Sequence, residues 1–260
     1  MILEASSISY SSNKVSILKD LNIGVKDGDL IAIAGPNGAG KSSFLNLLAN
    51  ELESKERNKI LVKEIPLPKW KITELSVHKS KFSQHNSNDI PLLVEDVVLM
   101  GRYPYFDSEP NTEDLEITEK MMKETDILHF RKRNYNTLSG GEKQRVHLAR
   151  AFVQLENSVE KKLMFLDEPL NNLDVRHQYK TLHMIRHFVE KGNAAIVVLH
   201  DLNLASEFAD RIFLMKGGKL LAEGKPTEVF QPQIIEEAYN FPCTVCKNPV
   251  NQKPLIIFGK

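Results

Sequence analysis

The sequence predicts an α/β fold built on a mostly parallel core sheet, and three observations predict it. Short apolar runs at Leu30–Ala34, Leu163–Leu166 and Ala194–Leu199 alternate with amphipathic helical stretches, the pattern of strands covered on both faces. A glycine-rich loop, "GPNGAGKSS" at Gly35–Ser43, joins the first of those runs to a helix-forming stretch. The composition, 42% apolar and 26% charged over 260 residues, is that of a folded chain large enough for a sizeable core.

Taken in order, Ile2–Ser9, Val15–Leu18 and Leu21–Val25 read as short strands punctuated by "SSN" and "KDG" turns. Leu30–Ala34 reads as a buried strand that feeds the glycine loop and then a helix from about Lys41 to Ala49. Ser54–Ser80 is weakly patterned around "IPLPKW", and Val94 to about Leu155 turns helical, as an inserted subdomain would. Strand character returns at Leu163–Leu166. A helix at Asp174–Glu190, a strand at Ala194–Leu199, a short helix at Asn203–Ala209 and strands at Arg211–Met215 and Lys219–Glu223 follow. In the Asp174–Glu190 helix, Val175, Tyr179, Leu182, Ile185 and Val189 form one apolar stripe. Arg176, Lys180, His183 and His187 line another face, where a solvated basic surface is expected rather than a metal pair.

Net charge is zero, which gives no global pull toward nucleic acid or an anionic membrane. No apolar run approaches the roughly 20 residues that cross a bilayer. The start, "MILEASSISY", lacks a basic patch followed by a long apolar run, so a cytoplasmic chain is expected. The two cysteines, Cys243 and Cys246, fall in an extended stretch, where residues three apart face opposite ways. Ordinary reduced thiols are the expectation.

The chemistry begins at the glycine loop. Gly35, Gly38 and Gly40 let the backbone turn its N–H groups inward as an anion nest, and Pro36, Asn37 and Ala39 complete the expected ATP-binding loop. The helix opening near Lys41, Ser42 and Ser43 adds its positive end. Lys41 is expected to reach the β- and γ-phosphates of a nucleoside triphosphate and the Ser42 hydroxyl to ligate Mg²⁺; this loop fits a kinase, a GTPase or a motor equally. "KLMFLDEP" then ends a buried strand in two acids. Asp167 is expected to hold Mg²⁺, and Glu168 to polarise a water toward the γ-phosphate, which favours hydrolysis over group transfer. Gln84, after a strand-like stretch, could approach both Mg²⁺ and the water. His200, at the end of another strand, could bond the γ-phosphate.

"GPNGAGKSS", Gln84, "LSGGEKQR" at Leu138–Arg145, "LMFLDEP", "NNLD" and His200 together resemble the ATP-binding-cassette ATPases over roughly Met1–Phe230. The resemblance implies a P-loop NTPase fold of ABC type, with an N-terminal antiparallel β subdomain and an inserted helical subdomain. The implied layout is a single domain over 1–260. It has a nucleotide-binding core at 1–90 and 160–230, a helical subdomain at about 91–158 and a C-terminal extension at 231–260. It implies an ATPase that uses ATP and Mg²⁺, with Mg²⁺ held by Ser42, Gln84 and Asp167 and catalysis carried by Glu168, His200 and Gln84. Tyr10 matches the aromatic that stacks on adenine, and Gly35–Ser43 the phosphate contacts. Leu138, Ser139, Gly140, Gly141 and Glu142 match the signature that closes over ATP held by a second, head-to-tail copy. Asp174 matches the acid of the loop crossing that dimer interface. One departure stands out: Leu170, Asn171 and Asn172 replace the family's usual Thr-Ser-Ala-type stretch.

"VEDVVLMGRYPYF", "LDVRHQ", the stretch after His200 and the tail at Pro232–Phe258 further resemble the importer group that carries iron-siderophore complexes, haem and cobalamin. The extended link Glu156–Lys162 is closer to the haemin importers. The resemblance implies a separate integral membrane permease dimer, an indirect partnership with a substrate-binding protein, and a place on the cytoplasmic face of the membrane. It implies no nucleic-acid partner. Arg102, Tyr103 and Tyr105 are candidate permease contacts. A soluble ATPase of an assembly machine, as in iron–sulfur cluster biogenesis, is the alternative of another class.

Overall fold

The computed structural model describes residues 1–83 and 92–259. Its strands are β1 (Leu3–Ser12), β2 (Val15–Val25), β3 (Leu30–Ala34), β4 (Ile60–Val62), β5 (Ile65–Pro66), β6 (Lys79–Phe82), β7 (Leu163–Asp167), β8 (Ala194–Val198), β9 (Arg211–Lys216), β10 (Lys219–Gly224), β11 (Cys243–Lys247) and β12 (Pro254–Phe258). Its helices are α1 (Lys41–Leu48), α2 (Ile72–His78), α3 (Val94–Leu99), α4 (Thr112–Glu124), α5 (Gly140–Gln154), α6 (Val175–Glu190), α7 (Leu202–Phe208), α8 (Pro226–Val229) and α9 (Pro232–Tyr239).

The core sheet runs β10-β9-β3-β8-β7-β6 and is parallel except for β10, which returns antiparallel along β9. An antiparallel sheet, β2-β1-β4-β5, lies beside it, and β11 pairs with β12. The central strands feed two cores by alternation. Ile31, Ile33, Phe165, Ile196 and Phe213 face one core with the antiparallel sheet and α1. Ala32, Met164, Leu166, Val197 and Leu214 face the other with the helices. Two buried faces explain why these strands read as unbroken apolar runs.

Several expectations need correction. Val15–Leu18 and Leu21–Val25 are one strand, β2, carried past polar Lys19 and Asp20 by register shifts against β1; Asp20 itself has φ +51°. The weakly patterned Ser54–Ser80 holds β4, β5, α2 and the start of β6. On α6 the buried face is Thr181, Leu182, Ile185, Phe188 and Val189, whereas Val175 is 68% exposed. The stripe starts one turn later because Asp174 caps the helix at its exposed, loop-facing end.

Arg102 and Tyr105, two of the three candidate permease contacts, are turned inward. Arg102 is 4% exposed, pairs with Asp114 of α4 at 2.9 Å, and donates to the carbonyls of Val153 and Glu156 at the end of α5. Tyr105 stacks beneath the Arg102 guanidinium and donates to the Gln154 carbonyl. Only Tyr103 remains outside, 59% exposed. Lys162, in the extended link after α5, donates to the carbonyls of Leu155 and Asn157 and so satisfies orphan acceptors at that helix end. Cys243 is buried, Cys246 exposed, and both are free thiols, as opposite faces of β11 require.

Candidate functional site

The site forms where β3 ends. Gly35 has φ +141°, and a Cβ there would sit 2.2 Å from the Met215 carbonyl oxygen, so only glycine lets the loop leave the sheet beside β9. The loop closes on α1, which is anchored by Phe44 stacked on Phe213 at 5.4 Å. Pro36, Asn37, Gly38, Ala39 and Gly40 are held between these two supports. Asn37, Gly38, Ala39, Gly40, Lys41, Ser42 and Ser43 line an open cleft of about 420 Å³ together with Glu168 and Ile17. Ile17, on β2, is a lining residue that no motif marked.

Lys41 is 5% exposed and donates its Nζ to the carbonyls of Gly35 (2.8 Å) and Pro36 (3.0 Å). Burial pushes its pKa down, against the pull of Glu168 and Asp167. The Ser42 hydroxyl donates to Asp167 Oδ1 at 3.0 Å, joining the start of α1 to the end of β7. Burial raises the Asp167 carboxyl above its usual range. A hydroxyl and a carboxylate are hard oxygen donors suited to Mg²⁺, which keeps several waters and is completed by substrate phosphate. Among the described residues no group of three or more His, Cys, Asp or Glu side chains converges on a protein-only metal site.

Glu168 occupies left-handed backbone at φ +51°, which turns the chain sharply out of β7. Its Oε1 lies 2.6 Å from His200 Nε2 at the end of β8, and its Oε2 accepts from Asn171 Nδ2 at 2.6 Å. Burial would raise the Glu168 pKa, but these two bonds outweigh it and hold the carboxyl below its usual value. An ionised carboxylate only accepts, so His200 Nε2 carries the proton. Asn171 is thus a site neighbour that its position in "LNN" did not reveal. Gln84 lies outside the described residues. Tyr10, half-buried on β1 opposite Leu18, is not among the residues lining the cleft.

The second glycine stretch lies elsewhere. Ser139 caps α5: its hydroxyl accepts from the Glu142 N–H at 3.3 Å, and the Glu142 carboxylate accepts from the Ser139 N–H at 2.7 Å. Gly140 opens the helix, exposed, and Leu138 packs inward behind it. A Cβ on Gly141 would meet the Asn172 carbonyl oxygen at 2.6 Å, so this glycine sets the closeness of α5 to the loop after Glu168. Neither Ser139 nor either glycine lines the cleft. Asp174 ends the same loop and accepts from the His177 N–H at 2.9 Å as the cap of α6.

A phosphate loop at the end of a parallel strand, with an acid pair at the end of β7 on the far side of β8 and the antiparallel sheet alongside, defines a nucleoside triphosphatase. Residues 18–171 match the family described as "ABC transporter", and the chain belongs to that family as an ATPase. It is 40% identical over 257 residues to the "Hemin import ATP-binding protein HmuV" of Vibrio parahaemolyticus serotype O3:K6 (strain RIMD 2210633), spanning 98% of this chain and 97% of that one. In fold it is similar to a chain of an inward-facing ABC transporter (TM-score 0.81, 21% identical, 100% of this chain and 97% of that one). It is also similar to the dimeric ATP-binding cassette MJ0796 bound to ADP and Pi (TM-score 0.73, 27% identical, 86% and 98%). No helix among the described residues is long and apolar enough to cross a membrane.

Proposed function

We propose that this chain hydrolyses ATP in pairs to energise haem import through a separate permease at the cytoplasmic face of the membrane. The haem cargo is supported by the 40% identity over nearly the whole length to a protein named for hemin import. Import of an iron-siderophore or cobalamin uses the same ATPase role and remains the alternative cargo.

The observation that carries the paired reading is the separation of two anion grips. The cleft holds Lys41, Ser42 and Glu168, while Ser139 and Gly140, both exposed, and half-buried Gly141 lie outside it at the start of α5. One copy therefore offers two half-sites, and a head-to-tail pair offers two whole ones. Such a pair agrees with the dimeric state of the similar cassette. In this reading Lys41 exchanges its two carbonyl partners for phosphate oxygens, trading neutral acceptors for charged ones. Ser42 and Asp167, with Gln84, hold Mg²⁺, which when bound neutralises charge on the phosphates. Glu168 accepts the proton of the attacking water, His200 bonds the γ-phosphate, Tyr10 stacks on adenine, and Asp174 faces the partner's site. The domain layout follows: a core of 1–90 and 160–230, the helical part 91–158 carrying the grip, and 231–260 as an extension.

The burial of Arg102 and half-burial of Tyr105 favour a permease seat elsewhere. A groove of about 410 Å³ runs between the end of α1, α2 and β6, with Lys79, Lys81 and Gln154 lining it and Ile72, 83% exposed, among its walls. In the sequence β6 ends two residues before Gln84, the expected γ-phosphate sensor.

The test is Glu168→Gln. Replacing the base should cut turnover by about 10²–10⁴-fold while ATP still binds, so the variant should accumulate as an ATP-dependent dimer by sedimentation. A variant that stays monomeric at saturating ATP removes the composite-site reading.

A further inference from the structure

We propose that Gln144 is a positioning residue that holds the main chain of Glu168 from the signature helix, so that the catalytic carboxylate is set by α5 as well as by its own strand. The inference rests on Glu168 acting as the base, as proposed above.

Glu168 stands in left-handed backbone, φ +51°, at the point where the chain leaves β7. A non-glycine residue persists in that strained conformation only where its surroundings hold it. Here the hold is on the carbonyl. It accepts from Gln144 Nε2 at 3.2 Å and, at 3.4 Å, from the Asn171 N–H. Gln144 is 6% exposed, so losing the bond would leave a buried amide donor and a carbonyl short of its partner. A further hold is on the side chain, where Asn171 Nδ2 donates to Glu168 Oε2 at 2.6 Å. Main chain and carboxylate of the same residue are therefore fixed from two directions, α5 and the loop after β7.

Gln144 lies one turn along α5 from Gly140, the first residue of the helix. The same helix start lies against the same loop. A Cβ on Gly141 would meet the Asn172 carbonyl oxygen at 2.6 Å, and one on Gly140 would meet the Asn172 side chain at 3.8 Å. From α6, Gln178 Nε2 reaches the Leu170 carbonyl at 3.5 Å. Two helix starts thus bear on the loop, and Gln144 makes the contact at Glu168 itself. Only one hydrogen-bonded turn separates it from the Ser139–Gly140 end, so a displacement of that end carries the Glu168 carbonyl with it. Turning the carbonyl swings the carboxylate, and about 1 Å of misplacement can cost about 10²-fold in rate. Gln144 therefore joins the grip of one chain to the base of the same chain, while in the paired reading that grip serves the partner's nucleotide.

The test is a double-variant cycle in steady-state ATPase kinetics. Glu168→Gln alone must lower turnover; if it does not, the reading of Glu168 as the base fails, whatever Gln144 does. Gln144→Met, close to the native side chain in length but without a donor, should lower kcat by about 10–100-fold. KM for ATP and the affinity for ATP should stay unchanged, because the lost contact serves the reacting step and not the bound nucleotide. Gln144→Ala gives the same reading if Met is not accommodated. Gln144→His, whose ring Nε2 extends from the backbone much as the amide does, should recover part of the loss. In the Glu168→Gln background, Gln144→Met should lower the remaining turnover by less than about twofold, since no base is left to place. A general loosening of the helix would lower turnover equally in both backgrounds. Unchanged kcat in the Met and Ala variants, an equal fall in both backgrounds, a rise in KM with kcat kept, or no recovery by Gln144→His would each overturn the proposal.

Discussion

His147 gives the protein an acid-sensitive joint inside the signature helix. It is 7% exposed on α5, its Nε2 lies 2.6 Å from the Tyr135 hydroxyl, and its Nδ1 is buried without a hydrogen-bond partner. Burial first, and then the nearby cations Arg150 and Lys143, push its pKa from 6.5 down to about 4. In the unfolded chain the ring takes a proton near pH 6.5; in the folded chain it resists until about pH 4. Between those values the unfolded state binds more protons, so stability rises with pH across this window and is lost on acidification through it. A gap of that size at about 1.4 kcal/mol per unit corresponds to a loss of about 3 kcal/mol by pH 4. Urea unfolding of the wild type and of His147→Gln, measured at pH 7 and at pH 4.5, isolates this contribution from that of the carboxylates. The variant should be less stable at pH 7 but should lose markedly less on acidification. Parallel pH dependence in the two proteins would refute the burial argument.

Two further outcomes follow from the packing around the grip. Gly141→Ala should force Asn172 away and cost about 1–3 kcal/mol of stability. Turnover should fall more than ATP binding, because the displaced loop also carries Asn171 against Glu168; a tight-binding, fully active variant in steady-state kinetics would contradict this. Arg102→Met should strand the buried Asp114 carboxylate, costing about 3–5 kcal/mol and lowering Tm on the order of 10 °C. Arg102→Met combined with Asp114→Asn should melt higher than Arg102→Met alone in a thermal unfolding scan.

The phosphate loop and the acidic strand end were legible because their chemistry is local. A strand, a glycine turn and a helix fix where Lys41 and Ser42 go, and five residues of β7 deliver Asp167 and Glu168 to the sheet edge. What escaped was set by contacts distant in sequence. Arg102 looks like a surface cation in "GRYPY" because nothing nearby announces Asp114 or the end of α5, about fifty residues on. Asn171 carries no motif, yet it holds Glu168 once the left-handed turn at Glu168 folds the loop back. Ile17 carries no motif and reaches the cleft because β2 packs its backbone against Gly40 and Gly218, both distant in sequence.

The same contacts bear on why a single copy should turn over slowly. The charged groups of the cleft have partners within the protein: Lys41 rests on two carbonyls of its own loop, and Glu168 is shared between His200 and Asn171. ATP can displace Lys41 unaided, since phosphate oxygens are better acceptors than carbonyls. Releasing Glu168 is harder, because a carboxylate engaged by two donors at 2.6 Å has its basicity lowered and its lone pairs occupied. His200 can turn toward a γ-phosphate and free one oxygen. Asn171 stays fixed unless the loop from Leu170 to Asp174 moves, and that loop touches Gly141 at one end and His177 at the other. In the paired reading proposed above, closure of a partner over this loop is the step positioned to free Glu168, and control of hydrolysis would then lie in the pairing of two chains rather than in nucleotide binding to one.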